Sequence, residues 1–478
     1  MVMSEIKLDE IKVESPSSIT KPPVKKLTLV PLIFLIFFEV SGGPFGEEPA
    51  VKAAGPLFAW LGFSIFPFIW SIPEALITEE LATAYPCNGG YVIWAFEAFG
   101  PFWGSTMGSL KFLSGSINSA AYPVLIKDYI KHSSPTLTIF LEKKVPKNVT
   151  LCITTIALSV LNYLGLSVVG WVSVAIGVVS MLPFLIMGLI AIPKMKWHRL
   201  VSLGTNGRNF QKNDWTTFLN TLFWNLNFWD NASTLAGEVE NPRKTFPKAL
   251  FFAGLIACFG YLIPLLAITG VLPLDQDEWK NGYLDIAAGK IGGSWLKLWV
   301  AVGSALSGVG LFEAQISSSY FQAEGMANLR FLSGFFAWRS KKFNTPWVGI
   351  LLSGAISLGL IFIKFDQIVV VANFLYRIGM LLEFPAFIWL RIKKPDLHRP
   401  YKVPANVPVF CVMCLIPAAF VVVVMRFSKL IPLCISGLIF IAICNYFLMN
   451  WCKSKGYIKF IDKDNDEQVM EKESREQQ

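Results

Sequence analysis

Charge is scarce in this sequence. Only 16% of its 478 residues are Asp, Glu, Lys or Arg, against roughly 25% in a soluble globular chain. Histidine is scarcer still. His132, His198 and His398 are the only three, and all fall in expected loops, which argues against a His-centred catalytic site. There is no GxxxxGK followed by Ser or Thr to cradle phosphates and no soluble nucleotide domain, so an ATP-driven pump is disfavoured. No nucleophile–His arrangement lies in the apolar segments, and the chain does not read as an enzyme. The eight cysteines lie mostly inside apolar runs. Cys411 and Cys414 have a CxxC spacing, but the run 408–424 around them offers no further ligands, so they read as packing, and neither metal nor cofactor is expected. Residues 1–27 are polar, mixed in charge and contain Pro16, Pro22 and Pro23, so they read as a tail and not a cleavable signal peptide.

What fills the chain instead is apolar. Hydrophobic residues make up 54%, with 39 Phe and 16 Trp, and the mean hydropathy is +0.51. Uninterrupted apolar runs assign this surface to lipid. About twelve runs reach the ~20 residues that a spanning helix needs. They lie near 28–52, 57–82, 93–121, 149–167, 169–193, 214–237, 248–272, 294–323, 346–364, 366–391, 406–425 and 430–451. The runs are continuously apolar and do not alternate, which selects helices over a β-barrel. The expected class is therefore an all-α membrane protein: a tail 1–27, a transmembrane domain 28–452 and a charged tail 453–478. The net charge of +9 sits between the apolar runs, which suits a membrane surface and not nucleic acid. Lys and Arg are concentrated in the segments that share a side with the termini, so both termini are expected in the cytoplasm.

Two of the runs are interrupted. The first reads Glu39-Val40-Ser41-Gly42-Gly43-Pro44-Phe45-Gly46-Glu47-Glu48-Pro49, with glycines that permit non-helical dihedrals and prolines that remove donors. The sixth reads Phe223-Trp224-Asn225-Leu226-Asn227-Phe228-Trp229-Asp230-Asn231, with amides and an acid at mid-depth. A charge at the bilayer centre costs about 3 kcal/mol or more on insertion scales, so it faces a cavity or a partner. Broken helices in corresponding positions of two halves point to an inverted repeat with a site at its interface. The other intramembrane acids are Glu74, Glu79, Glu80, Glu97, Glu313 and Glu383, and the bases are Lys111 and Arg377. Lys111 reads as a counter-ion for a buried acid, or as a direct participant in coupling. Asn118, seven residues on, lies on nearly the same helix face. Glu80 reads as a gate or fold anchor, and Glu313 and Glu383 as candidates to carry a coupling proton.

These interruptions carry a resemblance. Ser41-Gly42-Gly43-Pro44-Phe45-Gly46-Glu47-Glu48, Trp224-Asn225-Leu226-Asn227-Phe228-Trp229-Asp230 and Ser233-Thr234-Leu235-Ala236-Gly237-Glu238-Val239-Glu240-Asn241-Pro242 resemble the plant polyamine transporters of the amino acid–polyamine–organocation superfamily. The likeness extends to Leu110-Lys111-Phe112-Leu113-Ser114-Gly115, Asn373-Phe374-Leu375-Tyr376 and Arg399-Pro400-Tyr401-Lys402-Val403-Pro404, over roughly residues 25–450. It implies a LeuT-type fold of five plus five inverted helices, here about 28–193 and 214–391, with two extra helices about 406–451. It also implies proton-coupled uptake of polyamines, in the plasma membrane or an endomembrane. The substrate site it implies comprises Ser41, Gly42, Gly43, Phe45, Asn118, Tyr122, Trp224, Asn225, Asn227, Trp229 and Asp230, with Glu80, Lys111, Glu313 and Glu383 in gating or coupling. Where that family tends to carry acids, this chain has Asn118, Gln315, Ser319 and Ala372, which shifts the load for a polycation onto Asp230 and Glu313. The alternatives are an amino-acid carrier with its substrate carboxylate near Gly42 and Gly43, a transport-deficient sensor, and a channel. The oligomeric state is left open.

Overall fold

The computed structural model describes residues 26–133, 147–204, 210–273, 275–426 and 431–461. Most of both expected tails therefore lies outside the described residues. The described chain is helical, and the few β-type contacts are isolated bridges. Among the described residues, five helical stretches are long and apolar enough to cross a membrane: Pro56–Ala84, Leu166–Lys194, Pro242–Val271, Ser294–Asn328 and Phe365–Lys393. Leu29–Val40, Val149–Tyr163 and Trp347–Leu360 are shorter apolar helices. Several such helices in one chain suit a multi-pass membrane protein.

Burial separates inner from outer helices. Phe365–Lys393 is 67% buried in its most apolar window and Ser294–Asn328 is 50% buried, against 39% for the other three. Ser294–Asn328 is the central pillar. It packs against Leu29–Val40, Pro101–Ser119, Ala121–Ser133, Leu166–Ala191 and Trp229–Glu238. Phe365–Lys393 packs chiefly along Pro101–Ser119. On the outer helices, Phe68, Leu189 and Phe251 are each more than half exposed (73%, 68% and 61%). Apolar surface left in water costs about 25 cal/mol per Å², so a belt of such residues is a lipid-facing surface.

Both expected interruptions are present. The first helix, Leu29–Val40, stops at Ser41, and Glu48–Ala54 resumes beyond a loop in which Gly42, Gly43 and Gly46 have φ of 69°, 100° and 94°. The sixth run is helical over Trp215–Asn225, where Asp214 caps the start by accepting from the Thr217 amide at 3.0 Å. It breaks at Phe228, which sits in the left-handed region at φ 70°. It then continues as a 3₁₀ helix over Trp229–Glu238, which is 10 residues long. Isolated 3₁₀ runs rarely exceed 3–4 residues. This one is held by packing against Ser71–Ala84 and Ser294–Asn328.

One boundary differs from the sequence reading. The expected span 93–121 is two elements: Tyr91–Phe99 ends at Gly100 (φ 88°), and a new helix begins at Pro101. Glycine past a helix end and proline at the first position of the next are the normal stop and start signals. A further helix, Ala121–Ser133, follows after an interruption at Ala120.

Candidate functional site

The interruptions meet three buried polar networks. The first lines the broken first helix. Gly42 and Gly46 are there because nothing larger fits. A Cβ on Gly42 would lie 2.6 Å from Leu311, and one on Gly46 would lie 2.6 Å from the Trp224 ring, both at positive φ. The freed backbone is satisfied locally. The Gly43 amide donates to Ser41 Oγ (3.1 Å), and the Gly46 amide donates to Glu48 Oε2 (2.9 Å). Tyr261 OH donates to the Ser41 carbonyl (3.2 Å) and the Asn225 carbonyl (2.7 Å), while Asn225 Nδ2 donates to the Gly46 carbonyl (3.0 Å). Ser307 Oγ donates to the Gly42 carbonyl. Tyr261 and Asn225 thus tie one broken helix to the other.

The second network is built mostly of amides. Asn118 Nδ2 donates to Tyr122 OH (2.7 Å) and Gln315 Oε1 (2.9 Å), and its Oδ1 accepts from Trp224 Nε1 (3.0 Å). Gln315 Nε2 donates in turn to Glu39 Oε1 (3.0 Å), which also accepts from Asn231 Nδ2 (2.6 Å) and Ser318 Oγ (3.0 Å). One carboxylate of the first broken helix therefore gathers donors from the sixth run (Asn231) and from Ser294–Asn328 (Gln315 and Ser318). The Trp224 ring lies 6.3 Å from that of Tyr122 and 5.2 Å from that of Phe365.

The third network is charged. Lys111 Nζ pairs with Asp230 Oδ2, and with Glu383 Oε2 at 2.9 Å, all with fully buried side chains. The ammonium lies 4.4 Å from the ring centroids of both Tyr91 and Tyr376, within cation–π range. Tyr376 OH bridges Asp230 Oδ1 and Glu74 Oε1, and the Asp230 amide donates to Glu74 Oε1 (3.3 Å). One ammonium thus faces two carboxylates directly and a third through a tyrosine. Glu74 Oε2 and Glu383 Oε1 have no hydrogen-bond partner, which leaves acceptors to spare.

The sequence-selected residues are thus divided between networks. Lys111 and Asn118 share a helix face but serve different networks, charged and amide. Asp230 meets Lys111, whereas Trp224 joins Asn118. Trp229 donates its Nε1 to the Leu226 carbonyl (3.2 Å), away from the Asp230 carboxylate contacts. Phe45 packs edge-on to Tyr129 and Phe184 at 5.4 and 5.3 Å, in an aromatic core. Asn227 is fully buried, and neither of its side-chain polar atoms has a partner. Glu313 stands apart. Its Oε2 accepts from Asn162 Nδ2 (2.7 Å) and its Oε1 is unpartnered. Arg377 donates to Asn220 Oδ1 (2.9 Å) and lies over the Phe223 ring. Glu39, Glu74, Tyr91, Tyr261 and Tyr376 were not selected as site residues. Glu39 and Glu74 carried a signal, being acids inside apolar runs. The tyrosines carried none beyond sequence resemblance.

Two clasps lie away from these networks. Arg339 bridges Glu238 Oε1 and Glu324 Oε1, each at 2.5 Å. Asn88 Nδ2 donates to Glu238 (2.9 Å) and Glu324 (3.0 Å), and its Oδ1 accepts from the Gly237 amide (3.0 Å). Burial alone would lower the Arg339 pKa, but the two carboxylates outweigh it and raise it above its ordinary value. Beside this clasp, Leu27 pairs through its backbone with Glu238 and Glu240 (2.9 Å each). In the second clasp, Glu80 Oε2 accepts from Arg391 and from the Val403 amide (2.9 Å), and its Oε1 is ion-paired with Arg399 Nε at 3.0 Å, which pins the segment after Phe365–Lys393. Glu80 thus takes an anchoring position.

Interrupted membrane helices whose broken ends enclose buried carboxylates define a membrane carrier. The amino acid permease family model matches residues 27–449, and the chain belongs to that family. Among curated relatives, the chain is 49% identical to a probable polyamine transporter of Arabidopsis thaliana over 95% of this chain and 93% of the relative. It is 47% identical to the polyamine transporter RMV1 of Arabidopsis thaliana over 91% and 88%. It is 50% identical to the polyamine transporter PUT1 of Oryza sativa subsp. japonica over 85% and 75%. The family and these relatives are transporters and not enzymes.

Proposed function

We propose that this chain is a proton-coupled secondary transporter that imports polyamines of the putrescine, spermidine and spermine class by alternating access. The observation that carries the reading is the charged network. Asp230, Glu383 and Glu74 surround one ammonium, that of Lys111, between the rings of Tyr91 and Tyr376. Carboxylates and aromatic faces are what an alkylammonium needs, and apolar walls are what its methylenes need. In this reading Asp230 and Glu383 hold a substrate ammonium once Lys111 gives way. Trp224, Tyr122, Asn118, Asn225 and Asn227 form the wall beside it, and Ser41, Gly42 and Gly43 keep the first helix open. The carboxylates exceed the one ammonium in number, so this network is also the store for the coupling proton.

The amino-acid alternative is weaker on local grounds. A substrate carboxylate at Gly42 and Gly43 would compete for amides already donating to Phe37 O (3.0 Å) and Ser41 Oγ (3.1 Å). It would also approach Glu39, Glu47 and Glu48 in the flanking chain. We further propose twelve spanning helices in a five-plus-five inverted arrangement (about 28–193 and 214–391) with two added helices (about 406–451), and cytoplasmic tails 1–27 and 453–478. The plasma membrane is the proposed location, lipid the surrounding partner. The family membership and the two interruptions support this arrangement. The test is uptake of labelled polyamine by purified protein in proteoliposomes. Uptake should rise with an imposed pH gradient, ignore sodium and be competed by polyamines. Uptake of neutral amino acids with indifference to polyamines overturns the substrate. Dependence on sodium alone overturns the coupling.

A further inference from the structure

One buried charge is left unexplained by these networks. Glu47, at the end of the first interruption, is fully buried, and neither of its carboxylate oxygens has a hydrogen-bond partner. Its neighbour Glu48 is equally buried but fully used. Its Oε2 accepts from the Gly46 amide (2.9 Å) and its Oε1 from the Gly282 amide (3.1 Å), which clasps the loop before Tyr283–Gly292 to the first helix. Burying an isolated carboxylate is far costlier than burying a paired one. A fold that needed only the Glu48 clasp would gain from an apolar or amide residue at 47.

The position of Glu47 supplies a reason. Gly46, the residue before it, lies against the Trp224 ring and accepts from Asn225 Nδ2 (3.0 Å). Trp224 and Asn225 begin the sixth-helix interruption that leads to Asp230. Lys111, which pairs with Asp230, and Asn118, which accepts from Trp224 Nε1, lie seven residues apart on the continuous helix Pro101–Ser119, a rise of about 10 Å. Two buried carboxylates, Glu47 and Asp230, thus lie at opposite ends of a stretch walled by Trp224. A polyamine is two or more ammonium groups joined by methylenes, and this layout matches that pattern of charge and apolar spacer.

We propose that Glu47 binds the second ammonium of the substrate, so that Asp230 and Glu47 together select polyamines over monoamines and set the preferred chain length. This rests on the polyamine reading above. The test compares wild-type protein, Glu47→Gln and Glu47→Asp in proteoliposomes, with labelled triamine competed by a triamine, a diamine and a monoamine of matched length. Polyamine-induced shifts in melting temperature are measured alongside. The expected result is that Glu47→Gln stays folded, melts no lower than wild type without substrate, and loses roughly ten- to hundred-fold of the preference for triamine over monoamine. That is the affinity carried by one charged hydrogen bond. Glu47→Asp should retain the preference but move the optimal chain length. If Glu47→Gln keeps the wild-type preference, Glu47 holds only a proton or an inorganic cation, and the inference falls while the polyamine reading stands. If Glu47→Gln does not fold, or melts well below wild type, the carboxylate is structural and the inference falls. If wild-type protein carries no amine, both fall together.

Discussion

Replacing Lys111 by Met tests the charged network most directly. The substitution keeps the length of the stem and removes the ammonium that pairs with Asp230 and Glu383, all fully buried. Removing one partner of a buried ion pair costs about 3–5 kcal/mol, because the remaining charges are left without compensation. Here the residue left behind is not one carboxylate but three, since Tyr376 couples Glu74 to Asp230. The loss should therefore fall at the upper end of that range. At 1.36 kcal/mol per tenfold, 3–5 kcal/mol is roughly a hundred- to several-thousand-fold change in the folding equilibrium. Thermal unfolding in detergent, followed by fluorescence, should show a marked fall in midpoint, and uptake should be lost.

A cycle separates charge from packing. Glu383→Gln removes one acid while Asp230 still faces Lys111, so it should cost less than Lys111→Met. The double variant should be more stable than the sum of the singles predicts, by an interaction energy of about 0.5–3 kcal/mol. Gly379→Ala offers a second route that leaves every charge in place. A Cβ there would lie 2.6 Å from Lys111 Cε, so the stem must move and carry the ammonium off its partners. Gly379→Ala should then reproduce part of the Lys111→Met loss. If Lys111→Met protein melts like wild type and transports normally, the ammonium is not compensating these carboxylates and the reasoning fails.

The other expected outcomes concern the interruptions and the clasps. Gly46→Ala should abolish uptake at a stability cost of about 1–3 kcal/mol, since a side chain there is strained at positive φ and meets the Trp224 ring; normal uptake by this variant would show that the loop has room to spare. Arg339→Gln leaves Glu238 and Glu324 facing one another without their cation, and should lower the melting midpoint more than Glu238→Gln does, with loss of uptake. Because Arg339 stays charged across the accessible pH range, its contribution should show no titration of the guanidinium between pH 5 and 9 in a melting series. Glu80→Gln should free the segment after Phe365–Lys393, read as faster tryptic cleavage at Lys393 and Lys402; unchanged cleavage would mean that the backbone alone holds it. Asn118→Asp should lower the melting midpoint without substrate and steepen the stabilisation by added polyamine, and an unchanged polyamine response would remove Asn118 from the site wall.

The sequence was most legible where structure is set locally. Three glycines with Pro44 cannot continue a helix, and the break at 41–47 follows from those residues alone. The Asn and Asp residues of the sixth run announced an interruption, but not that the helix would resume as 3₁₀. That depends on packing against Ser71–Ala84 and Ser294–Asn328, which no local signal carries. Phe228 in the left-handed region is a similar case: a bulky residue is held there by its surroundings, with its ring 4.4 Å from that of Tyr376. The boundary inside 93–121 was not legible because hydropathy averages across Gly100 and Pro101, whereas the backbone stops and restarts there.

Pairing across helices was the part that residue spacing could not reach. Lys111 could be read as a counter-ion or as a participant in coupling, but which of several acids it meets depends on how Pro101–Ser119, Trp229–Glu238 and Phe365–Lys393 are brought together. The neutral residues at Asn118 and Gln315 acquire a reason in the same way. Asn118 both donates and accepts, joining Trp224 to Gln315, and Gln315 passes the chain on to Glu39. A carboxylate at either position would face an acceptor where the amide now donates, with Glu39 already buried beside it. Two amides in series thus link Trp224 of the sixth run to a carboxylate of the first broken helix. That leaves the concentration of negative charge to the Asp230, Glu74 and Glu383 network, where Lys111 offsets part of it. The neutral substitutions therefore segregate charge within the core: one network holds the broken helices together through neutral donors, and the other keeps its carboxylates for a cation.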